Sequence, residues 1–336
     1  MTRVAINGFG RIGRVAARLW MNDPAGIEIV AVNDLAPIEQ MAHLLEFDSI
    51  HGRLASPVKA GGGEIVAGGR RFRYTSVPEP EKLPWKELGV DIVLECTGRL
   101  LKTELAKKHL DAGARRVILS APPKSPEIRT FAYKVNHETY DPKTDLVISN
   151  ASCTTNCLAP MAMVLDSAFD ITAGLMVTVH SYTNDQNIHD APHKKDLRRA
   201  RGAALSMIPT TTGAAKAVGL VLPHLKGRLS GYAVRVPTPD VSLTDLTVQV
   251  SRKADRDAVN EAMRKAAEGS LRGVLEYEDR PLVSVDFTGN PASCIFDSRL
   301  TQTMGDGLVK VVGWYDNETG YSARMLDLAR YVGGRL

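Results

Sequence analysis

The chain has 336 residues, 44% of them hydrophobic and 24% charged, with 42 basic against 38 acidic side chains and a formal net charge of +4. This balance excludes a disordered or low-complexity chain and provides enough apolar residues for two domains; the small basic surplus is interspersed, so it does not by itself imply a nucleic-acid partner. No stretch approaches the roughly 18 apolar residues of a membrane helix, and the amino end MTRVAINGFG enters a strand pattern at once, without a signal-peptide layout.

The first half alternates short apolar runs with helical stretches. A strand is expected at Val4 to Asn7, a helix from Arg11, a strand at Ile29 to Asn33 and a helix at about Ile38 to Leu45. Val58 to Tyr74 alternates in β fashion around five glycines and reads as hairpins on a sheet edge. A strand at Asp91 to Glu95, a helix at about Leu101 to Ala112, and strands at Arg116 to Leu119 and Leu146 to Ser149 follow. Strands separated by helices predict an α/β, Rossmann-type doubly wound parallel sheet.

After about residue 150 the pattern changes. Cys153 to Phe169 reads as a helix, followed by strands near Leu175 to Ser181, Leu229 to Pro237 and Ser242 to Val250. A helix at about Asp255 to Gly269, strands near Leu282 to Asp286 and Leu308 to Tyr315, and a last helix at about Gly320 to Val332 complete the chain. The clustered strands predict an α+β domain with a mostly antiparallel sheet, and the last helix has the apolar positions to pack back on the first domain.

Gly8-Phe9-Gly10-Arg11-Ile12-Gly13 directly follows a strand and opens a helix, the context in which this glycine spacing signals a dinucleotide. Gly8 permits the tight turn, Gly10 admits a pyrophosphate and Gly13 lets helix and strand pack closely, with the diphosphate on the helix amino end. Asp34 ends the second strand about 20 residues further on, where a carboxylate can accept from ribose hydroxyls and repel a 2′-phosphate. NAD is therefore expected over NADP. The strand ends Glu95-Cys96-Thr97-Gly98 and Ser120-Ala121-Pro122 point at the same sheet edge and are further cofactor contacts rather than plain turns.

Cys96, Cys153, Cys157 and Cys294 make no disulfide framework, which fits a reducing cytoplasm. Cys153 stands at the start of a helix among hydroxyl residues, where the helix end should lower the thiol pKa, while Cys157, one turn further in, should face the core. His180, ending an apolar strand, is the best candidate for the base; the other histidines read as surface or structural. A thiol beside a nicotinamide suits oxidation of an aldehyde through a hemithioacetal and a thioester, and the acceptor of that thioester, phosphate or water, defines the enzyme. The basic cluster Lys194, Lys195, Arg198, Arg199 and Arg201 reads as a solvated face or a small-phosphate site before a polyanion patch.

Five ordered motifs, Ile6 to Arg14, Ala151 to Cys157, Pro209 to Ala215, Arg235 to Pro239 and Trp314 to Glu318, resemble the phosphorylating glyceraldehyde-3-phosphate dehydrogenase family along essentially the whole chain. The resemblance implies an NAD-binding domain at 1–152 completed by a carboxyl-terminal helix at 317–336, and a catalytic domain at 153–316. It also implies a homotetramer that acts in glycolysis or gluconeogenesis on glyceraldehyde 3-phosphate and inorganic phosphate, with no metal and no required nucleic acid. By motif, Cys153 is similar to the nucleophile and His180 to its base. Thr183 and Arg235 are similar to the pocket for the substrate's phosphate. Ser152, Thr154, Thr212 and Gly213 are similar to the site of the attacking phosphate, and Arg198 is expected to complete a phosphate site. Arg11, Ile12, Asp34, Ser120 and Asn317 match cofactor contacts, with Asn317 similar to the residue that orients the nicotinamide amide.

Pro78, Phe47, Ala191 and Thr319 depart from the commoner family residues, and the first three bear on cofactor affinity or choice. The sister erythrose-4-phosphate dehydrogenase, which releases an acid, and a catalytically idle NAD- or RNA-binding scaffold are the alternatives. The run His180 to Gln186 and the run Thr210 to Gly213 resemble the phosphorylating enzyme instead of the former, and a scaffold has no need of the thiol, the imidazole and the phosphate contacts together.

Overall fold

The computed structural model describes residues 1–336 except Lys195 and Asp306, so one member of the basic cluster, Lys195, lies outside the described residues. The chain forms two compact units: Met1–Tyr133 with His137–Ser152 and Ser322–Leu336, and Lys134–Asn136 with Cys153–Tyr321.

The first unit is built on a nine-stranded sheet. From one edge its strands are Arg129–Thr130, Val147–Ser149, Arg116–Leu119, Ile92–Glu95, Thr2–Asn7, Ile27–Asn33, Arg70–Thr75, Glu64–Ala67 and Val58–Gly61. All pairs are parallel up to Arg70–Thr75; the last two pairs are antiparallel, the hairpin edge read from the glycine-rich segment. Thr2–Asn7 pairs with Ile27–Asn33 on one side and Ile92–Glu95 on the other, so the chain reverses direction across the sheet there, and ligands of open α/β folds bind at such a point. Val4, Ala5 and Ile6 are fully buried, as a strand covered on both faces must be. Arg330, on the helix Thr319–Gly333, donates to the carbonyls of Asp23 and Ala25 and so ties the end of the chain to the loop before the second strand.

The helix expected over Leu101 to Ala112 is two short pieces, Thr103–Ala106 and Lys108–Asp111. The break coincides with the inward turn of His109, which is fully buried, accepts at Nδ1 from Trp85 Nε1 (3.1 Å) and meets Glu95 Oε2 through Nε2 (3.0 Å). Two anchors on one imidazole override the helical repeat. His109 is thus a structural histidine, in line with its sequence reading.

The second unit carries a sheet whose strands run Ile208–Thr211, Leu229–Val236, Ile171–Ser181, Ser242–Val250, Leu308–Tyr315, Cys294–Asp297 and Leu275–Glu278, with Gln302–Met304 also paired to Leu308–Tyr315. Two pairs are parallel and the other five antiparallel. The expected strand at Leu282 to Asp286 is instead a 3-10 turn, Ser284–Phe287, because the Asp286 carboxylate accepts the Val283 amide (2.8 Å) and closes the chain locally.

Behind this sheet lies the helix Cys153–Phe169, and Cys157 on it is fully buried as expected. A Cβ on Gly313, in the strand Leu308–Tyr315, would stand 2.7 Å from Cys294 Sγ and 2.9 Å from Met161 Sδ. Gly313 is thus the contact at which helix and sheet close. Gly313→Ala is expected to destabilise the protein by about 1–3 kcal/mol through overpacking, read as a lower denaturant midpoint; an unchanged midpoint would mean that helix and strand part without cost.

Candidate active site

In the second unit the helix Cys153–Phe169 leads directly into the strand Ile171–Ser181, so the first residue of the helix and a residue near the strand's end return to one place. Cys153 Sγ lies 3.4 Å from His180 Nε2. His180 Nδ1 is 2.8 Å from the Ser181 carbonyl, which can only accept; this assigns the proton to Nδ1 and leaves the Nε2 lone pair facing the sulfur. Arg235 Nη1, 2.9 Å from the same Nδ1, directs its own protons to the Ser181 carbonyl (3.0 Å) and Thr183 Oγ1 (3.2 Å). Thr183 in turn donates to Asp185 Oδ1 (2.5 Å), and Arg199 donates to Asp185 Oδ2 (2.5 Å).

Tyr315 holds helix and strand together from below. Its buried hydroxyl meets Thr154 Oγ1 at 2.9 Å and Thr178 Oγ1 at 2.8 Å, and its ring stands edge-on to His180 at 5.9 Å. Sequence reasoning left Tyr315, Thr178 and Asp185 without roles, although Tyr315 lies inside the singled-out Trp314 to Glu318 segment. Its hydroxyl contacts come from distant positions that no spacing rule connects.

The electrostatics correct one expectation. Burial pushes the Cys153 thiol up; the Arg235 guanidinium and the Thr154 amide oppose the rise without overcoming it. The helix end alone therefore does not yield a thiolate in the free protein. Burial, reinforced by Arg235, pushes His180 down to about 3, so the imidazole is neutral and able to accept a proton.

Thr212 and Gly213 stand at the amino end of the helix Ala214–Val221, where Thr212 Oγ1 accepts the Ala214 amide (3.2 Å). Arg198 and Thr212 line one groove together with Thr210, Lys216 and Tyr232. No hydrogen bond among the described residues joins Arg198 to Cys153, His180 or Arg235. Asn317 sits elsewhere in the unit, its Oδ1 bonded to Ser181 Oγ (2.8 Å) and Ser242 Oγ (2.7 Å). Ser152 is the last residue of the first unit's second segment and directly precedes Cys153.

In the first unit Gly8, Gly10 and Asp34 line a cavity of about 300 Å³ with Asn7, Asn33, Pro78, Cys96 and Thr97. Gly8 has φ +93° and a Cβ there would lie 2.7 Å from the Thr97 amide, while a Cβ on Gly13 would fall 2.3 Å from the Gly8 carbonyl. Gly10 has open space where its Cβ would be, the approach a pyrophosphate needs. Asp34 Oδ2 accepts the Phe9 amide (2.7 Å) and Oδ1 the Ala36 amide (3.1 Å), leaving lone pairs for a ribose. These residues fit a dinucleotide.

Arg11, Ile12, Gly13, Gly98 and Ser120 are not in the cavity lining. The Arg11 guanidinium instead grips Asp48 through two bonds of 2.6 and 3.2 Å. Burial pushes the Asp48 carboxyl up, but Arg11 with the Ile50 and His51 amides holds it at about 2. At the strand end beside Ser120, Cys96 is raised by burial and by Glu95, so its thiol is inert near neutral pH.

Removing the Arg235 charge removes what favours the thiolate. In cofactor-free Arg235→Leu the pH midpoint for alkylation of Cys153 by iodoacetamide, followed by peptide mass spectrometry, should move to higher pH by about one unit. A midpoint that stays or falls would remove Arg235 from the electrostatics of the sulfur.

Residues 2–103 match the NAD-binding domain model of glyceraldehyde 3-phosphate dehydrogenase, and residues 152–317 match the C-terminal domain model of the same enzyme. The chain is 55% identical over 333 residues to the glyceraldehyde-3-phosphate dehydrogenase of Geobacillus stearothermophilus, covering 99% of this chain and 98% of that protein. It is 53% identical over 335 residues to that of Kitasatospora aureofaciens, covering 100% of both, and 55% identical over 335 residues to that of Streptomyces coelicolor, covering 99% of both. With both domain models matched and half of all positions shared along its length, the chain belongs to the glyceraldehyde-3-phosphate dehydrogenase family.

Proposed function

We propose that this chain catalyses the NAD-dependent oxidative phosphorylation of D-glyceraldehyde 3-phosphate to 1,3-bisphosphoglycerate, in glycolysis or gluconeogenesis. The observation that carries the reading is the 3.4 Å contact of Cys153 Sγ with a neutral His180, beside the only guanidinium that touches the imidazole among the described residues.

The sulfur attacks the aldehyde carbon as its proton passes to His180 Nε2 and on to the oxygen, giving a hemithioacetal on Cys153. His180 then removes the hydroxyl proton while hydride leaves the same carbon, and a thioester remains. Bound NAD supplies the hydride acceptor. Inorganic phosphate attacks the thioester carbon, the carbon–sulfur bond breaks, and acyl phosphate departs as the thiol regains its proton. Arg235 and Thr183 hold the substrate's phosphate, since a guanidinium and a hydroxyl match its oxygens. Ser152, Thr154, Thr212, Gly213 and Arg198 form the site of the attacking phosphate, supported by the helix end at Gly213.

For the cofactor, Gly8, Gly10, Arg11, Ile12, Gly13 and Gly98 take the dinucleotide backbone, Asp34 the adenosine ribose, and Ser120 and Asn317 the nicotinamide side. Residues 1–152 with 317–336 serve as the NAD-binding domain and 153–316 as the catalytic domain. Among the described residues no helix is long and apolar enough to cross a membrane, and four free cysteines suit a reducing cytoplasm. A homotetramer is supported by one apolar sheet face: Leu175, Val179 and Tyr232 are 68, 36 and 50% exposed on adjoining strands.

Ultraviolet absorbance of NADH, followed with glyceraldehyde 3-phosphate and NAD with and without inorganic phosphate, tests the reaction. Turnover should require phosphate, and Cys153→Ser should abolish it while NAD still binds; turnover indifferent to phosphate would mean the hydrolytic reaction. His180→Asn should lower kcat by about 10²–10⁴-fold, and an unchanged kcat would remove His180 as the base. Asp34→Ala should relax the preference for NAD over NADP, measured as the ratio of kcat/KM; a fixed ratio would place the ribose contact elsewhere.

A further inference from the structure

The geometry points to Ser181 and Ser242 as positioning residues that lock the Asn317 amide in one orientation and thereby make it a hydrogen-bond donor to the carboxamide oxygen of the cofactor. The inference rests on the reading of Asn317 as the nicotinamide contact and assigns the device that makes that contact directional.

Asn317 Oδ1 accepts two hydroxyl protons, from Ser181 (2.8 Å) and Ser242 (2.7 Å). The three side chains are 0, 1 and 6% exposed, so water does not compete for these bonds. Ser242 Oγ also accepts the Ser181 main-chain amide (3.1 Å), which fixes the oxygen and leaves its single proton for Asn317. A flipped amide would turn its NH₂ group toward both hydroxyls and leave two buried O–H protons without their acceptor, the arrangement proteins avoid. Oδ1 is thereby assigned to the serines by the network itself. Nδ2 has no hydrogen-bond partner among the described residues and is the atom left to donate.

The backbone is held as firmly as the side chain. Asp316 Oδ1 accepts the amides of Glu318 and Thr319 (2.9 and 2.7 Å), and Asp316 Oδ2 accepts that of Gly289 (2.7 Å), so the residue before Asn317 is pinned from two directions. Ser181 has a second duty, since its carbonyl receives His180 Nδ1. One residue therefore fixes the tautomer of the base through its main chain and the polarity of the amide through its side chain.

A locked donor discriminates between acceptors. NAD and its 3-acetylpyridine analogue both present a carbonyl oxygen, whereas thionicotinamide adenine dinucleotide presents a sulfur that accepts hydrogen bonds poorly. Titration calorimetry of the protein without substrate reads this directly as the ratio of the thionicotinamide Kd to the NAD Kd. The matched pair Ser242→Thr and Ser242→Val, alike in shape and different in the hydroxyl, keeps the test independent of packing, with Ser181→Ala as a second site.

Ser242→Thr should keep the wild-type ratio, while Ser242→Val and Ser181→Ala should each lower it by about tenfold, leaving the 3-acetylpyridine analogue alongside NAD. Asn317→Ala should abolish the ratio, and adding Ser242→Val to it should change nothing further. If Asn317→Ala abolishes the ratio and the serine variants preserve it, or weaken all three nucleotides equally, the positioning role is overturned and the Asn317 contact stands. If Asn317→Ala leaves the ratio unchanged, the underlying contact itself is wrong and the inference falls with it.

Discussion

The reactive pair depends on one buried hydroxyl. Tyr315 Oη bridges Thr154, one residue into the helix that begins at Cys153, and Thr178, two residues before His180 on the strand. Cys153 and His180 are 27 positions apart, at the far ends of a helix and a strand that follow each other in the chain. A hydroxyl network confined between them sets their spacing more sharply than apolar contact can, because hydrogen bonds impose both distance and direction. Burial raises the Tyr315 phenol far above its ordinary value, so the bridge keeps its proton throughout the range in which the enzyme works. Gly313, two residues earlier, serves the same end by allowing the helix close to the sheet.

Around that spacing burial and the Arg235 charge act on both partners. A thiol and an imidazole removed from water resist ionisation in opposite senses, the first rising and the second falling. Arg235 acts on both with one sign, favouring a thiolate and disfavouring an imidazolium, and for the sulfur burial still prevails. In the proposed reaction the proton of the sulfur passes to His180 Nε2 as the sulfur attacks the aldehyde. Asp185, bonded to Thr183 and Arg199, opposes Arg235 at the imidazole, but its effect there is the smaller of the two.

Local signals in the sequence were legible wherever the chain itself enforces them. Gly8 and Gly13 were readable because a Cβ at either position would strike backbone, and Cys153 was readable as a helix start among hydroxyls. Leu282 to Asp286 misled because its alternation is that of a strand, while a single carboxylate, Asp286, diverts the backbone into a turn. Ile208–Thr211 is a strand in spite of Pro209 because it lies at the sheet's edge, where a missing amide is tolerated. The helix end beside Cys153 is visible in the sequence, whereas the burial that raises its thiol is a property of the fold. Arg11 shows the same limit, since nothing local reveals that its guanidinium is engaged by Asp48.

The strand that presents His180 has two faces with different tasks. Met176, Thr178 and His180 point into the buried side, while Leu175 and Val179 face out beside Tyr232 on the neighbouring strand. Ser181 breaks the alternation by being buried as well, because there the strand end is covered by Ser242 and Asn317 rather than left to solvent. An apolar sheet face left in water costs about 25 cal/mol per Å² relative to one that is covered, so the proposed association of copies would stabilise each subunit along the strand that carries His180. Covering that face also restricts the strand's fluctuation, and the 3.4 Å approach of sulfur to nitrogen is a distance that a small displacement of the strand would open. The proposed assembly and the proposed catalysis would then be linked through a single element, with the residues that alternate outward securing those that alternate inward.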